Sequence, residues 1–238
     1  MAEDVRIASS GALRRPTLKD QVLELIRQAL IAGQMVPGEI YSAAATASRL
    51  GTSNGPVREA MLSLVDEGVL EVVPNRGFRV VPMTEHDLDE VYELREMIEV
   101  PAMARLARLG LRERAEADAR DRAERCSQWA REGDVARFLA ADRDLHLGLT
   151  ELLGNERMVR AVAQLRDQSR LYGLAVLADG DLLAAAAAEH HDLIDAIAAR
   201  DEEAARAIMA AHLQHVRGDW AAHQSGTVPT PAPTERVT

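Results

Sequence analysis

The stretch from Gly51 to Val81, GTSNGPVREAMLSLVDEGVLEVVPNRGFRVV, decides the fold of the first part of this chain. Ser53 stands where a helix wants its N-cap, and Pro56 falls in the first turn, where a missing N–H costs nothing. Val57, Ala60, Met61, Leu64 and Val65 recur at helical spacing as one buried face, and Gly68 closes the helix. Two β-branched runs then flank Pro74-Asn75-Arg76-Gly77, which has the composition of a hairpin turn.

Working outward, Val22, Leu25, Ile26, Ala29 and Leu30 predict a helix from Leu18 to about Ala32, ended by Gly33. Val36 to Gly38 makes a turn, and Ser42 is placed to cap a short helix that Gly51 stops. Three helices followed by a hairpin is the order of a winged helix-turn-helix, predicted here for residues 17–82 behind a flexible arm at 1–16. Such a unit lays the start of its second reading helix in the major groove. Ser53 and Asn54 supply donors there, Gly55 allows close backbone approach, and Arg58 sits one turn in, opposite Met61 and Leu64. The tip Asn75, Arg76 and Gly77 suits the neighbouring minor groove or backbone, and Ser42 completes the candidate DNA-binding set. The bland alternative is a capped surface helix with solvated arginines.

No strand pattern follows Thr84. Thr84 and Asp87 resemble a capping box, and helices are expected at about 84–109, 112–132, 135–153, 156–178, 182–199 and 202–222. Pro101 is expected to interrupt and kink the first of these. The predicted fold class is mainly α: the winged helix, then an all-α bundle over 83–223, then a disordered Pro/Thr-rich tail at 224–238.

Net charge is −10, which by itself argues against nucleic acid, but residues 1–82 hold nine Lys+Arg against nine Asp+Glu. The excess acidity lies in the bundle, and a homodimer would present the few well-placed arginines twice. The single cysteine, Cys126, excludes an internal disulfide and a Cys-rich zinc site. No apolar run spans a bilayer and the start lacks a secretory core, so a cytoplasmic protein without membrane contact is expected.

The bundle carries polar residues where core belongs. The stripe Val135, Phe138, Leu139, Leu145, Leu149, Leu152 is broken by Asp142 and His146, side by side at i and i+4. A second stripe, Leu183, Ala186, Ala187, Leu193, Ile194, Ile197, holds His190, and a third, Ala205, Ile208, Met209, Val216, holds His212. A lone histidine on such a stripe is usually a satisfied core residue. Three of them with an aspartate point to a divalent metal, Zn²⁺ first, with Ni²⁺ or Mn²⁺ also suited to these donors. His191 points off its stripe, and His86, His215 and His223 lie near helix ends, so these read as surface.

The run from Pro37 to Val81 resembles the winged helix of GntR-type bacterial regulators through its phrases PGE, SRLGTS, PVREAM, DEGVLE and NRGFRV. With the helical remainder the resemblance covers about residues 17–222 and implies a homodimer on a near-palindromic operator. Family members often carry Arg-Thr just before PVREA, where this chain has Asn54-Gly55, which implies an altered contact. The second part resembles the FCD effector domain of the FadR-type branch. Asp142 and His146, Glu189-His190, and His212 fall on that domain's metal motif, which implies a divalent ion helping to hold a small organic acid.

A carboxylate effector wants a fixed guanidinium. Arg95 lies on the inward stripe Leu88, Val91, Ile98, Ala102, with simple pairing to Glu99 at i+4 as the competing reading. Arg166, Ser169, Arg170 and Tyr172 share a helix whose inward face the pattern leaves open, and Arg170 and Tyr172 are the candidates there for reaching the ligand. The leading reading is an operator-binding repressor released by that acid. A constitutive DNA binder with a structural metal is the alternative. A metal-dependent hydrolase is a third, weakened because Glu189, the nearest base in sequence, points about 100° from His190.

Overall fold

The structure, a computed structural model, describes residues 16–170 and 180–224, with side chains except at 170, 180–182 and 218–224. The expected arm up to residue 15, the end of the helix expected at 156–178, and the tail beyond 224 lie outside the described residues.

The first unit runs α1 (Leu18–Ile31), β1 (Ile40–Tyr41), α2 (Ala43–Leu50), α3 (Asn54–Asp66), β2 (Leu70–Val73) and β3 (Gly77–Val80). Thr17 and Asp20 form a capping box on α1 that the sequence reading passed over. Val22, Ile26 and Leu30 of α1 share one core with Val57, Ala60, Met61 and Leu64 of α3 and with Leu70, Phe78 and Val80 of the hairpin. Ser42 and Ser53 do occupy N-cap positions with extended backbone, but neither hydroxyl bonds the turn it precedes. The expected hairpin is present, with one addition: β1 pairs antiparallel with β3, giving the order β1-β3-β2. A two-residue strand is too short to show alternation, so no sequence pattern announces it.

The wing depends on backbone geometry that few residues adopt. Asn75 takes the left-handed conformation, with φ of 61°, and Gly77 sits at φ 133°. A Cβ at Gly77 would collide with the Tyr41 carbonyl and lie 3.3 Å from the Ser42 Cα.

The second unit contains, among the described residues, α4 (Glu85–Leu109), α5 (Glu113–Glu132), α6 (Val135–Glu151), α7 (Glu156–Arg170), α8 (Gly180–Ala198) and α9 (Glu202–Gln224). The Thr84–Asp87 capping box forms as expected. Contrary to expectation, α4 runs unbroken through Pro101. The proline is on the exposed face, where water can satisfy the freed carbonyl. Leu145 and Leu149 of α6, Leu193, Ile194 and Ile197 of α8, and Met209 and Leu213 of α9 close the core, joined by Ile31 from α1. The two units therefore touch through packed side chains as well as through the chain at Val81–Thr84.

Gly77→Ala is expected to cost at least about 1–3 kcal/mol through strain and loss of β1–β3 pairing. Asn75→Gly is expected to leave stability nearly unchanged. Urea unfolding of the two variants distinguishes them; equal midpoints would remove the wing's dependence on Gly77.

Candidate metal centre and nucleic-acid interface

The exposed N-terminal turn of α3 presents Ser53, Asn54, Gly55 and Arg58, while Val57, Ala60 and Met61 anchor its other side in the core. Because the Ser53 hydroxyl makes no cap bond, it and the free N–H groups of that turn face outward, where a helix end favours phosphate. Asn75 and Arg76 are exposed at the wing tip, whereas Gly77 is half-buried against Tyr41 and shapes the turn. Ser42 is exposed with its Cα beside the wing. Arg49, exposed in the last turn of α2, is a further cation on this unit that the sequence reading did not single out.

In the bundle the structure brings Asp142, His146, His190 and His212 together from α6, α8 and α9, all buried, with one donor atom from each within 4.8 Å of the others. His146 Nε2 lies 3.3 Å from His190 Nε2, and Asp142 Oδ1 lies 3.5 and 3.2 Å from those two atoms. Ligand bonds of about 2.0–2.1 Å arranged tetrahedrally put donors roughly 3.3 Å apart, so these spacings fit an ion. Burial drives His146 and His190 toward the neutral form, with Arg166 adding to the effect at His146. Neutral imidazole is the form that binds metal. Burial opposes ionisation of Asp142, but Arg166 and His146 outweigh it and hold the carboxyl well below its usual range.

The remaining ring nitrogens bear on orientation. His212 Nδ1 donates to Glu189 Oε2 at 2.7 Å, and the other Glu189 oxygen accepts from His215. Glu189 is thus no base beside the cluster; it fixes the His212 ring from the far side, as carboxylates commonly do for metal-bound imidazole. His146 Nδ1 and His190 Nδ1 are buried without hydrogen-bond partners among the described residues, and Glu99 Oε2 is 3.9 Å from the former. Of the histidines read as surface, His86 is exposed. His215 is exposed but held by Glu189, and His191 is half-buried with its Nε2 3.0 Å from Ser127 Oγ.

Arg95 is buried, and both readings of it hold in part. Its Nε donates to Glu99 at 2.8 Å and its NH1 to Ser169 Oγ at 3.2 Å, yet it lines a cavity of about 40 Å³ beside Asp142 and His212. The residues of α7 that face this cavity are Arg166 and Ser169. Arg166 donates from Nε and NH2 to Glu99 and from NH1 to Asp142 Oδ2 at 2.9 Å. The Arg170 side chain and Tyr172, the expected ligand contacts, lie outside the described residues. Arg166 and Ser169 were named with Arg170 and Tyr172 but not chosen as contacts, because their face of α7 reads Val162, Arg166, Ser169, a stripe with a single apolar member.

A winged helix joined to a helical bundle defines a class: a transcriptional regulator with a helical second domain. The family comparisons make it particular. Residues 18–80 match the bacterial regulatory proteins of the gntR family, and residues 90–215 match the FCD domain. The chain belongs to the GntR family, in its FadR-type branch with an FCD domain, and is a DNA-binding transcriptional regulator. It is 32% identical to the probable D-xylose utilization operon transcriptional repressor of Paenarthrobacter nicotinovorans, over 77% of this chain and 80% of that one. The structure of Escherichia coli McbR/YncC superposes with a TM-score of 0.76 at 26% identity, covering 87% of this chain and 99% of that chain. A putative GntR regulator from Rhodococcus sp. RHA1, 22% identical with a TM-score of 0.69 over 86% of this chain and 97% of that one, shares the fold. These relatives are regulators, not enzymes, which sets the hydrolase reading aside.

Glu99 supplies a stability test. Burial alone would raise its carboxyl, but Arg166 and Arg95 override burial and bring it to about 2 from an ordinary 4.5. The unfolded chain therefore binds the proton first, so this stabilisation is complete above about pH 4.5 and fades as pH falls toward 2. Glu99→Gln, which leaves two buried guanidinium groups short of a partner, is expected to cost about 3–5 kcal/mol near neutrality. Chemical unfolding of both proteins across that range checks this; a difference that does not shrink with acid would overturn it.

Proposed function

We propose that this chain is an operator-binding repressor that acts as a cytoplasmic homodimer and is released from DNA by a small organic acid. The acid is held in the cavity beside a divalent ion bound by Asp142, His146, His190 and His212. The observation that carries this reading is the juxtaposition of a buried Asp/His₃ cluster with a cavity of about 40 Å³ whose wall includes Arg95, Arg166 and Ser169. A purely structural ion needs no such space beside it. Zn²⁺ is the first choice for these donors, with Ni²⁺ and Mn²⁺ as competitors. When bound, the ion supplies a fixed positive centre toward which a carboxylate turns.

The protein's own groups do the rest. Arg95 and Arg166 present donors to the same carboxylate, and Arg170 and Tyr172 are retained as further contacts by their place in the chain. Phe138, Leu139 and Val216 give the cavity apolar wall. On the DNA side, Ser42, Ser53, Asn54, Gly55 and Arg58 meet the operator, with Asn75, Arg76 and Gly77 at the wing. No helix among the described residues is long and apolar enough to cross a membrane. Effector and operator oppose each other by equal factors, as linkage requires.

Two measurements test the two halves. Arg58→Ala is expected to weaken operator binding by about 1–3 kcal/mol, and the wild type is expected to lose affinity steeply as salt rises. Unchanged affinity in the variant, or a flat salt dependence, removes the groove-reading role. For the metal, elemental mass spectrometry is expected to find about one ion per wild-type chain and none in His190→Ala. In chelator competition Glu189→Gln is expected to bind the ion about 10- to 100-fold more weakly. Equal metal content in wild type and His190→Ala would refute the centre.

A further inference from the structure

One turn of α7 touches both functional halves of the molecule. On its inner side Arg166 bonds Glu99 and Asp142, and Ser169 accepts from Arg95, so both residues belong to the cavity wall. On its other side the intervening pair meets the winged helix. Asp167 takes a bidentate pair from Arg143 at 2.7 and 3.0 Å and an ion pair from Arg27 of α1 at 3.2 Å. Arg27 in turn donates to both carboxylate oxygens of Glu67 at 2.8 Å. Gln168 Nε2 donates to the Glu67 backbone carbonyl at 3.0 Å.

Glu67 is the C-cap residue of α3, the helix whose opposite end carries Ser53, Asn54 and Arg58. A helix ends with carbonyls that have no partner within it, and here a side chain from the other domain supplies one. Gly68 makes the approach possible: a Cβ there would lie 2.7 Å from Gln168 Nε2, and its φ of +74° disfavours any other residue. The clamp is largely sheltered, with the Arg27, Glu67 and Asp167 side chains 18%, 25% and 6% exposed, so solvent screening weakens it little.

We propose that Asp167 and Gln168 are positioning residues for the DNA-reading helix, and that through them the state of the cavity sets the placement of α3. The inference rests on the reading of the cavity as an effector site and adds the route by which that site reaches DNA. A ligand carboxylate competes with Asp142 and Glu99 for Arg166 and with Ser169 for Arg95. A shift or rotation of that turn of α7 moves Asp167 and Gln168 in the same step, because they are the next residues on a rigid helix. The end of α3 then loses or changes its clamp, and the reading turn at its start is re-aimed.

The test uses the full-length chain and perturbs the cavity in two ways, by adding Zn²⁺ alone to metal-free protein and by Ser169→Ala. Hydrogen exchange is read in peptides of α6–α7 and in the last turn of α3, and operator affinity is read by fluorescence anisotropy. In the wild type, each perturbation is expected to change exchange at residues 63–68 along with α6–α7, and to change operator affinity at least about fivefold. In Asp167→Asn/Gln168→Ala the α6–α7 response is expected to persist while residues 63–68 and operator affinity no longer respond. Equal responses of α3 in both proteins, or a wild-type α3 that stays silent while α6–α7 responds, overturn the proposal. Failure of the metal reading looks different: Zn²⁺ leaves α6–α7 untouched, and the Ser169→Ala arm still decides whether the clamp transmits.

Discussion

Arg166 is a guanidinium with almost no access to water, and its charge is tolerated only because Glu99 from α4 and Asp142 from α6 surround it. Removing a charge from water costs several kcal/mol, and the cost is recovered only when partners and geometry are both supplied. The requirement that these three groups meet ties α4, α6 and α7 to one arrangement. An oily bundle would accept many slightly different packings; a buried ion network accepts far fewer.

The same network shapes the Asp/His₃ cluster. One oxygen of Asp142 is occupied by Arg166, which leaves the other turned toward His146 and His190. The carboxylate stays ionised because of Arg166, and the imidazoles stay neutral chiefly because of burial. Those opposite consequences of one dry environment are what a mixed oxygen and nitrogen ligand set needs. Glu189 adds orientation to His212 from outside the cluster, so two of the four donor residues, Asp142 and His212, are held by groups outside it.

The division of labour along α7 follows from helical geometry. Residues 166 and 169 lie three apart and share a face, whereas 167 and 168 are turned away from it. A single turn can therefore line a cavity and brace a neighbouring domain without a special linker, and any motion of that turn is felt on both sides. The chain connection at Val81–Thr84 is short, yet the side-chain bridge through Arg27 and Glu67 reaches the reading helix more directly.

What the residues alone determined was whatever leaves a periodic trace. The buried face of α3, the hairpin after Gly68, and the intrusions of Asp142, His146, His190 and His212 on apolar stripes were all legible, because helical and strand spacing turns position into direction. β1 left no trace, since two residues have no period, and Glu189 was discounted as pointing away from His190 when its partners were His212 and His215 on another helix. Arg166 was named with its direction left open: its stripe has one apolar member, so hydrophobicity could not mark it as inward. Only tertiary structure decided which charges meet, because ion pairing between α4, α6 and α7 depends on distances across the bundle, and a linear sequence carries spacing along a helix but none between helices.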